Sequence, residues 1–152
     1  MIKVDSLFET HLTVTDLDRS VTFYRDRLEL PLAAVFPERQ VAFFSVGEPG
    51  GAMLGLWAGG SPQYMVLHTA FRVTREAVLE APRALRAAGI VPLDFYRVPS
   101  DEPTVLAWMP AVSVYFADPD GNLLEFLAML QDEPRPELGV VKWSEWGRLS
   151  HT

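Results

Sequence analysis

The feature that most constrains this chain is an order of elements that occurs twice. Phe8 to Val14 reads as a strand in which Leu12 and Val14 share one face, while His11 and Thr13 share the other. Thr15-Asp16 is a helix start, and Leu17, Val21, Tyr24 and Leu28 follow at helical spacing until Pro31 stops the run. Leu32–Phe36, Gln40–Val46 and Ala52–Trp57 read as three strands separated by Pro37-Glu38-Arg39 and the turn at 48–51. After a short Gly/Ser/Pro connection at 59–62 the order returns. Met65–Val73 is a strand carrying His68, and Thr74 opens a helix that closes at Gly89. Pro82 inside that helix is expected to kink or restart it. Val91–Val98, Thr104–Met109, Val112–Phe116 and Leu123–Leu130 supply the remaining strands. The two copies are offset by roughly 60 residues, a spacing that marks an internal repeat.

The last strand carries an anomaly. Glu125 sits within Leu123-Leu124-Glu125-Phe126-Leu127, a run that reads as buried on both faces. A lone buried carboxylate is costly unless it is paired or holds a metal. An ion pair with Arg72, which alternation places on the face of His68, is one solution. The preceding Asp118-Pro119-Asp120-Gly121-Asn122 is turn chemistry rather than a site.

Composition removes several classes of function. The chain has 152 residues, 49% hydrophobic and 22% charged, as expected of one globular domain. Zero cysteines exclude disulfides, thiolate metal sites and a cysteine nucleophile. A net charge of −7 argues against a nucleic-acid surface. No apolar run spans a membrane, and the first residues lack the apolar core of a signal peptide, so a cytoplasmic protein is expected. The three histidines are His11, His68 and His151, the last at the chain end.

His11-Leu-Thr-Val-Thr-Asp-Leu-Asp-Arg-Ser-Val-Thr-Phe-Tyr resembles the opening of the vicinal-oxygen-chelate superfamily. That superfamily includes glyoxalase I, extradiol dioxygenases, fosfomycin-resistance thiol transferases and bleomycin-binding proteins. Tyr115-Phe-Ala-Asp-Pro-Asp-Gly-Asn-Leu-Leu-Glu125 resembles its closing motif. The resemblance implies an α+β fold of two βαβββ modules, about 1–62 and 63–130, forming an open barrel-like mixed sheet around a cavity. The tail at 131–152 lies outside it. Asp132–Pro136 is linker-like, and Val140, Trp143 and Trp146 are spaced to dock as one helical turn on the domain or on a partner subunit.

The resemblance also implies a site. His11, His68 and Glu125 are its expected ligands for one divalent ion: Zn, Mn, Ni, Co or Fe. Two imidazoles and a carboxylate leave coordination positions open for substrate. The further carboxylate of glyoxalase I, in the fourth strand of the first module, has no counterpart in Ala52–Trp57. Glu125 is the candidate catalytic acid–base group, and Arg72, Trp57, Trp108 and Tyr115 are candidate substrate contacts. The implied activity is a metal-dependent lyase, isomerase or thiol transferase acting on a small molecule with neighbouring oxygens. Drug sequestration without chemistry and extradiol-type dioxygenation are the alternatives. A homodimer is expected.

Overall fold

A computed structural model describes residues 6–48, 50–59 and 65–149. His151 and the connection at 60–64 lie outside the described residues. The chain forms two compact units, residues 1–67 with 118–122, and residues 68–117 with 123–152. The fold is mixed α+β with a mixed sheet in each unit and few helices. Among the described residues no helix is long and apolar enough to cross a membrane.

In the first unit, β1 (Glu9–Thr13), β2 (Leu32–Phe36), β3 (Val41–Val46) and β4 (Ala52–Trp57) form a sheet in the order β1-β4-β3-β2. β1 runs parallel to β4, so a crossover must join β1 to the rest, and helix α1 (Leu17–Thr22) provides it. The Asp16 side chain caps α1 by accepting from Arg19 N at 2.9 Å. Leu17 and Val21 turn inward with Tyr24, and Leu12, Leu54, Leu56 and Phe44 complete the core. Beyond Thr22 the helix widens into one π turn, Phe23–Arg27, rather than running on to Leu28 as an α-helix. Leu28 N reaches the Phe23 carbonyl at 3.2 Å, and Glu29 then adopts φ 56°, ending the helix before Pro31. The opposite sheet face carries Glu9, His11, Met53, Gly55, Trp57 and Phe43, set by register.

The turn Asp118–Asn122 groups with this unit. Asp118 Oδ1 accepts from the backbone N–H groups of Asp120 and Asn122, at 2.9 and 2.8 Å. Its Oδ2 accepts from the Tyr24 hydroxyl at 2.9 Å and Asn122 Nδ2 at 2.8 Å. Burial and the Asp118 charge push the Tyr24 phenol well above its ordinary pKa. Asp120 accepts from Thr15 and from the Arg19 guanidinium at 2.8 Å. Gly121, at φ 86°, occupies the left-handed position this turn requires.

In the second unit, β5 (His68–Arg72), β6 (Thr104–Leu106), β7 (Ala111–Ala117), β8 (Leu123–Met129) and β9 (Val140–Lys142) form a sheet in the order β5-β8-β7-β6-β9. β5 and β8 are parallel, and α2 (Arg75–Ala87) is the crossover. Phe71, Leu124, Phe126, Val112, Val114 and Phe116 share the face that packs against α2. The other face carries His68, Arg72, Glu125, Ser113, Tyr115 and Thr104.

Three expectations change here. Pro82 does not restart the helix: Arg75–Ala87 is continuous, with Pro82 buried beside Val78, Ala81 and Leu85. Burying the ring on the apolar stripe offsets the hydrogen bond it removes. Val91–Val98 is not a strand. Only Leu93 bridges, to Tyr115 and Pro99, because Asp94 Oδ1 accepts from the N–H groups of Tyr96 and Val98 and bends the chain. Arg97 follows at φ 63°. The tail is not a single helical turn either. Its β9 pairs antiparallel with β6, and helix α3 (Trp143–Leu149) then buries Trp146.

Candidate metal centre

The parallel β5–β8 pair sets Ala70 beside Glu125 and His68 beside Leu123, with all four side chains on one face in alternation. From there His68 reaches forward along the strands. Its Nε2 lies 3.1 Å from Glu125 Oε2, and its Nδ1 lies 3.1 Å from the Leu123 carbonyl oxygen. A carbonyl only accepts, so Nδ1 carries the ring proton. In the neutral ring Nε2 is then a lone pair, and it faces a carboxylate oxygen. Two acceptors at that distance repel unless a proton or a cation stands between them. Anchoring one imidazole nitrogen on a backbone carbonyl is also how metal-binding histidines are commonly oriented.

Glu125 is 4% exposed. Its partner is not Arg72: Oε1 instead accepts from the Ser113 hydroxyl at 2.5 Å. Ser113 is fully buried two residues before Tyr115, and both project from β7 onto this face. Burial, then the negative charge of Glu125 and a hydrogen bond to it, push the Tyr115 phenol well above its ordinary pKa, so Tyr115 stays protonated at neutral pH. Its ring lies 6.2 Å from that of His68 and 6.1 Å from that of Phe95. Arg72 extends the same face of β5 and is exposed. Trp108 is 57% exposed in the turn after β6.

His11 belongs to the first unit. Its ring stands over Gly55, between Trp57 at 5.4 Å and Phe43 at 5.7 Å, each edge-on. A Cβ at residue 55 would overlap that ring, with His11 Cγ at 3.1 Å. His11 Nδ1 and Trp57 Nε1 are buried with no hydrogen-bond partner among the described residues. His11 Nε2 lies 2.6 Å from Glu9 Oε1. Sequence reasoning passed over Glu9 and Gly55. The signal for Glu9 was its position two residues before His11, which puts both on one strand face.

Donor chemistry decides whether a metal suits these residues. Two donors about 2.1 Å from one ion and at right angles are about 3.0 Å apart. The His68 and Glu125 atoms are 3.1 Å apart, so the pair fits one edge of a coordination shell. Among the described residues no group of three or more His, Asp or Glu side chains gathers for a metal.

The paired parallel strands, the crossover helix in each unit and the imidazole–carboxylate pair define a two-module α+β protein of the vicinal-oxygen-chelate type. Residues 6–126 match the model of the Glyoxalase/Bleomycin resistance protein/Dioxygenase superfamily, and the chain belongs to that superfamily. Its members bind small molecules, usually carry a divalent metal and often form dimers. Among solved structures, the chain is similar to an integron cassette protein from the mobile metagenome of the Halifax Harbour sewage outfall. They share 29% identity, with 83% of this chain and 100% of the other covered at a TM-score of 0.69. Lactoylglutathione lyase from Agrobacterium tumefaciens is 26% identical over 82% of this chain and 94% of its own, at a TM-score of 0.63. Oxidase ChaP-H1 is 27% identical over 84% and 98%, at 0.62. No curated protein matches the chain.

Proposed function

We propose that the protein is a divalent-metal-dependent enzyme acting on a small molecule that presents two neighbouring oxygens. The observation that carries this reading is the His68–Glu125 pair, an imidazole nitrogen 3.1 Å from a buried carboxylate oxygen on one sheet face. In the second unit His68 and Glu125 are the residues that would hold a cation; in the first unit, taken by itself, His11 is the candidate donor. When bound, such an ion supplies Lewis acidity toward the substrate oxygens.

The chain's own groups divide the remaining work. Ser113 holds Oε1 of Glu125, leaving Oε2 directed at His68. Tyr115 remains a phenol and offers a proton-bearing hydroxyl beside the pair. Glu125 is the candidate group to take a proton from a bound substrate, because it is a buried carboxylate beside His68 and Tyr115. Arg72, on the same sheet face, suits an anionic substituent, and Trp57 and Trp108 are candidate apolar contacts. A lyase, isomerase or thiol transferase uses this set without an added oxidant. The similarity to a lactoylglutathione lyase supports that class, and the similarity to an oxidase keeps dioxygen chemistry as the second reading.

The test is elemental analysis of protein purified without chelators or a His-tag, beside His68→Ala and Glu125→Gln. Near-stoichiometric divalent metal, lost in both variants, is expected. Iron as the native metal would move the assignment to the oxidative reading. No binding of any of the five ions would overturn the enzyme reading in favour of an organic-ligand-binding protein.

A further inference from the structure

The tail lies beyond residue 126, where the match to the superfamily ends, and it builds part of a second site. Strand β9 pairs with β6 so that Lys142 stands opposite Thr104, which in turn stands opposite Ser113 on β7. Their side chains share one sheet face, the face that carries Glu125. β9 passes directly into α3, and backbone donors pin the junction. Trp143 N donates to the Pro103 carbonyl at 3.0 Å, Ser144 N to Glu102 Oε1 at 2.8 Å, and Lys142 N to Glu145 Oε2 at 3.2 Å. The buried Trp146 anchors the helix that follows.

The loop at 94–100 is held by its own side chains. Asp94 Oδ1 accepts from the N–H groups of Tyr96 and Val98, and Ser100 Oγ accepts from Glu102 N at 3.1 Å while donating to the Glu102 carbonyl at 2.9 Å. Between this loop and the tail lies a cavity of about 220 Å³, lined by Asp94 and Tyr96 from the loop, Thr104 from the sheet, and Lys142 and Glu145 from the tail. It is smaller than the roughly 300–1,000 Å³ of drug-sized pockets, so it suits a compact group. Thr104 is 5% exposed, and its hydroxyl is buried with no hydrogen-bond partner among the described residues. Such a hydroxyl is costly until something in the cavity bonds it. The lining also carries both signs of charge. Backbone N–H groups occupy Asp94 Oδ1 and Glu145 Oε2, and the second oxygen of each carboxylate remains to a ligand. A purely anionic ligand meets these two carboxylates, and a purely cationic one meets Lys142. A ligand carrying both charges is complemented throughout.

We propose that this cavity binds an amino-acid-type zwitterion, an ammonium and a carboxylate on one small skeleton. The ammonium is held by Asp94 and Glu145, and the carboxylate accepts from Lys142 and from the Thr104 hydroxyl, which gains its missing partner. Ser113, opposite Thr104, donates to Glu125, so the cavity adjoins the candidate metal centre through one residue pair. As the far end of a substrate the zwitterion rests on the enzyme reading above; as a binding site the cavity stands without it.

The experiment is an NMR titration of the full chain, as purified, with L-valine, isobutylamine and isovalerate. The last two are valine without its carboxylate and valine without its ammonium. L-valine is expected to give saturable shifts at the amides of Tyr96, Thr104 and Lys142, with an affinity about ten-fold above either fragment. Lys142→Met should weaken L-valine about ten-fold and leave isobutylamine within about two-fold, while Glu145→Gln should weaken L-valine similarly and leave isovalerate within about two-fold. Thr104→Val keeps the shape, removes the hydroxyl and should weaken L-valine about five-fold. Amide spectra of each variant confirm folding, and if Glu145→Gln loosens α3, the Lys142→Met comparison decides. No saturable shift at these residues, equal affinity for the three ligands, or charge variants that bind L-valine as the wild type does would each overturn the proposal. The readout is binding rather than metal content or turnover, so those outcomes leave the His68–Glu125 reading standing. L-valine binding by a protein that takes up no metal would sink the enzyme reading alone.

Discussion

Two buried carboxylates of almost equal exposure, Asp118 at 5% and Glu125 at 4%, sit in contrasting surroundings. Asp118 is saturated: every contact made to its oxygens comes from a donor, two backbone N–H groups, the Tyr24 hydroxyl and the Asn122 amide. Glu125 accepts from the Ser113 hydroxyl and the Tyr115 phenol, and its Oε2 also lies against the His68 imidazole. Burial alone therefore does not mark a functional acid. What marks it is a neighbouring side chain that can itself ligate a metal: Asp118 has none, and Glu125 has His68.

Matched amide substitutions test this contrast most directly. Asp118→Asn places an NH₂ group among donors and is expected to destabilise the protein by about 3 kcal/mol in chemical denaturation. Glu125→Gln, measured in the presence of chelator, is expected to shift stability by less than about 0.5 kcal/mol, because its NH₂ group can donate to His68 Nε2 while its carbonyl still accepts from Ser113. Equal losses in both variants would break the comparison.

Metal removal gives the next effect. With free ion at about 100 times Kd, binding stabilises the native state by about 2.7 kcal/mol, so chelation should lower the melting temperature of the wild type by several degrees. Chelation should leave His68→Ala unmoved in the same scan. Gly55→Ala follows at about 2 kcal/mol, since its Cβ overlaps the His11 ring and one of them must shift.

The smallest effect is on the rim of the turn. Burial raises the pKa of Asp120, but hydrogen bonds from Thr15 and Arg19 outweigh it and hold the group below the usual carboxylate range. A depressed folded pKa contributes stability that is complete above the unfolded value, about 3.9, and is lost as pH falls through the lower folded value. Asp120→Asn should cost about 1 kcal/mol at pH 7 and remove this part of the acid sensitivity. Urea melts from pH 6 to pH 2 read both.

Much of the fold was legible because its signals are local. The strand alternation at Leu12 and Val14, the Asp16 and Thr74 caps, the Gly89 terminus and the strands of the first unit all agree with the structure. The misses are places where one side chain redirects the backbone. Asp94 ends a run that otherwise reads as strand, and the buried Pro82 ring is tolerated because of the surface it covers. At the site, the oddity of Glu125 was readable from its apolar neighbours, and the structure sets it against His68. The Ser113 clamp and the Glu9–His11 contact were not readable, because strand register and rotamer decide them. Gly55 was visible only as a missing acid; that it houses an imidazole depends on the parallel pairing of β1 with β4.

The turn at 118–122 also sets a timetable. Thr15, Arg19 and Tyr24 find their acidic partners about a hundred positions later, with separations of 105, 101 and 94 residues. As the chain leaves the ribosome, the first sheet and its helix emerge long before Asp118 and Asp120. Until then the Tyr24 hydroxyl, destined for burial, lacks its acceptor. The N-terminal half must therefore wait, half-made and dependent on solvent or a chaperone, for a five-residue piece of the C-terminal half. Chain entropy makes so distant a closure slow. A stalled nascent chain ending near residue 100 should accordingly be far more protease-sensitive than one that includes residue 125.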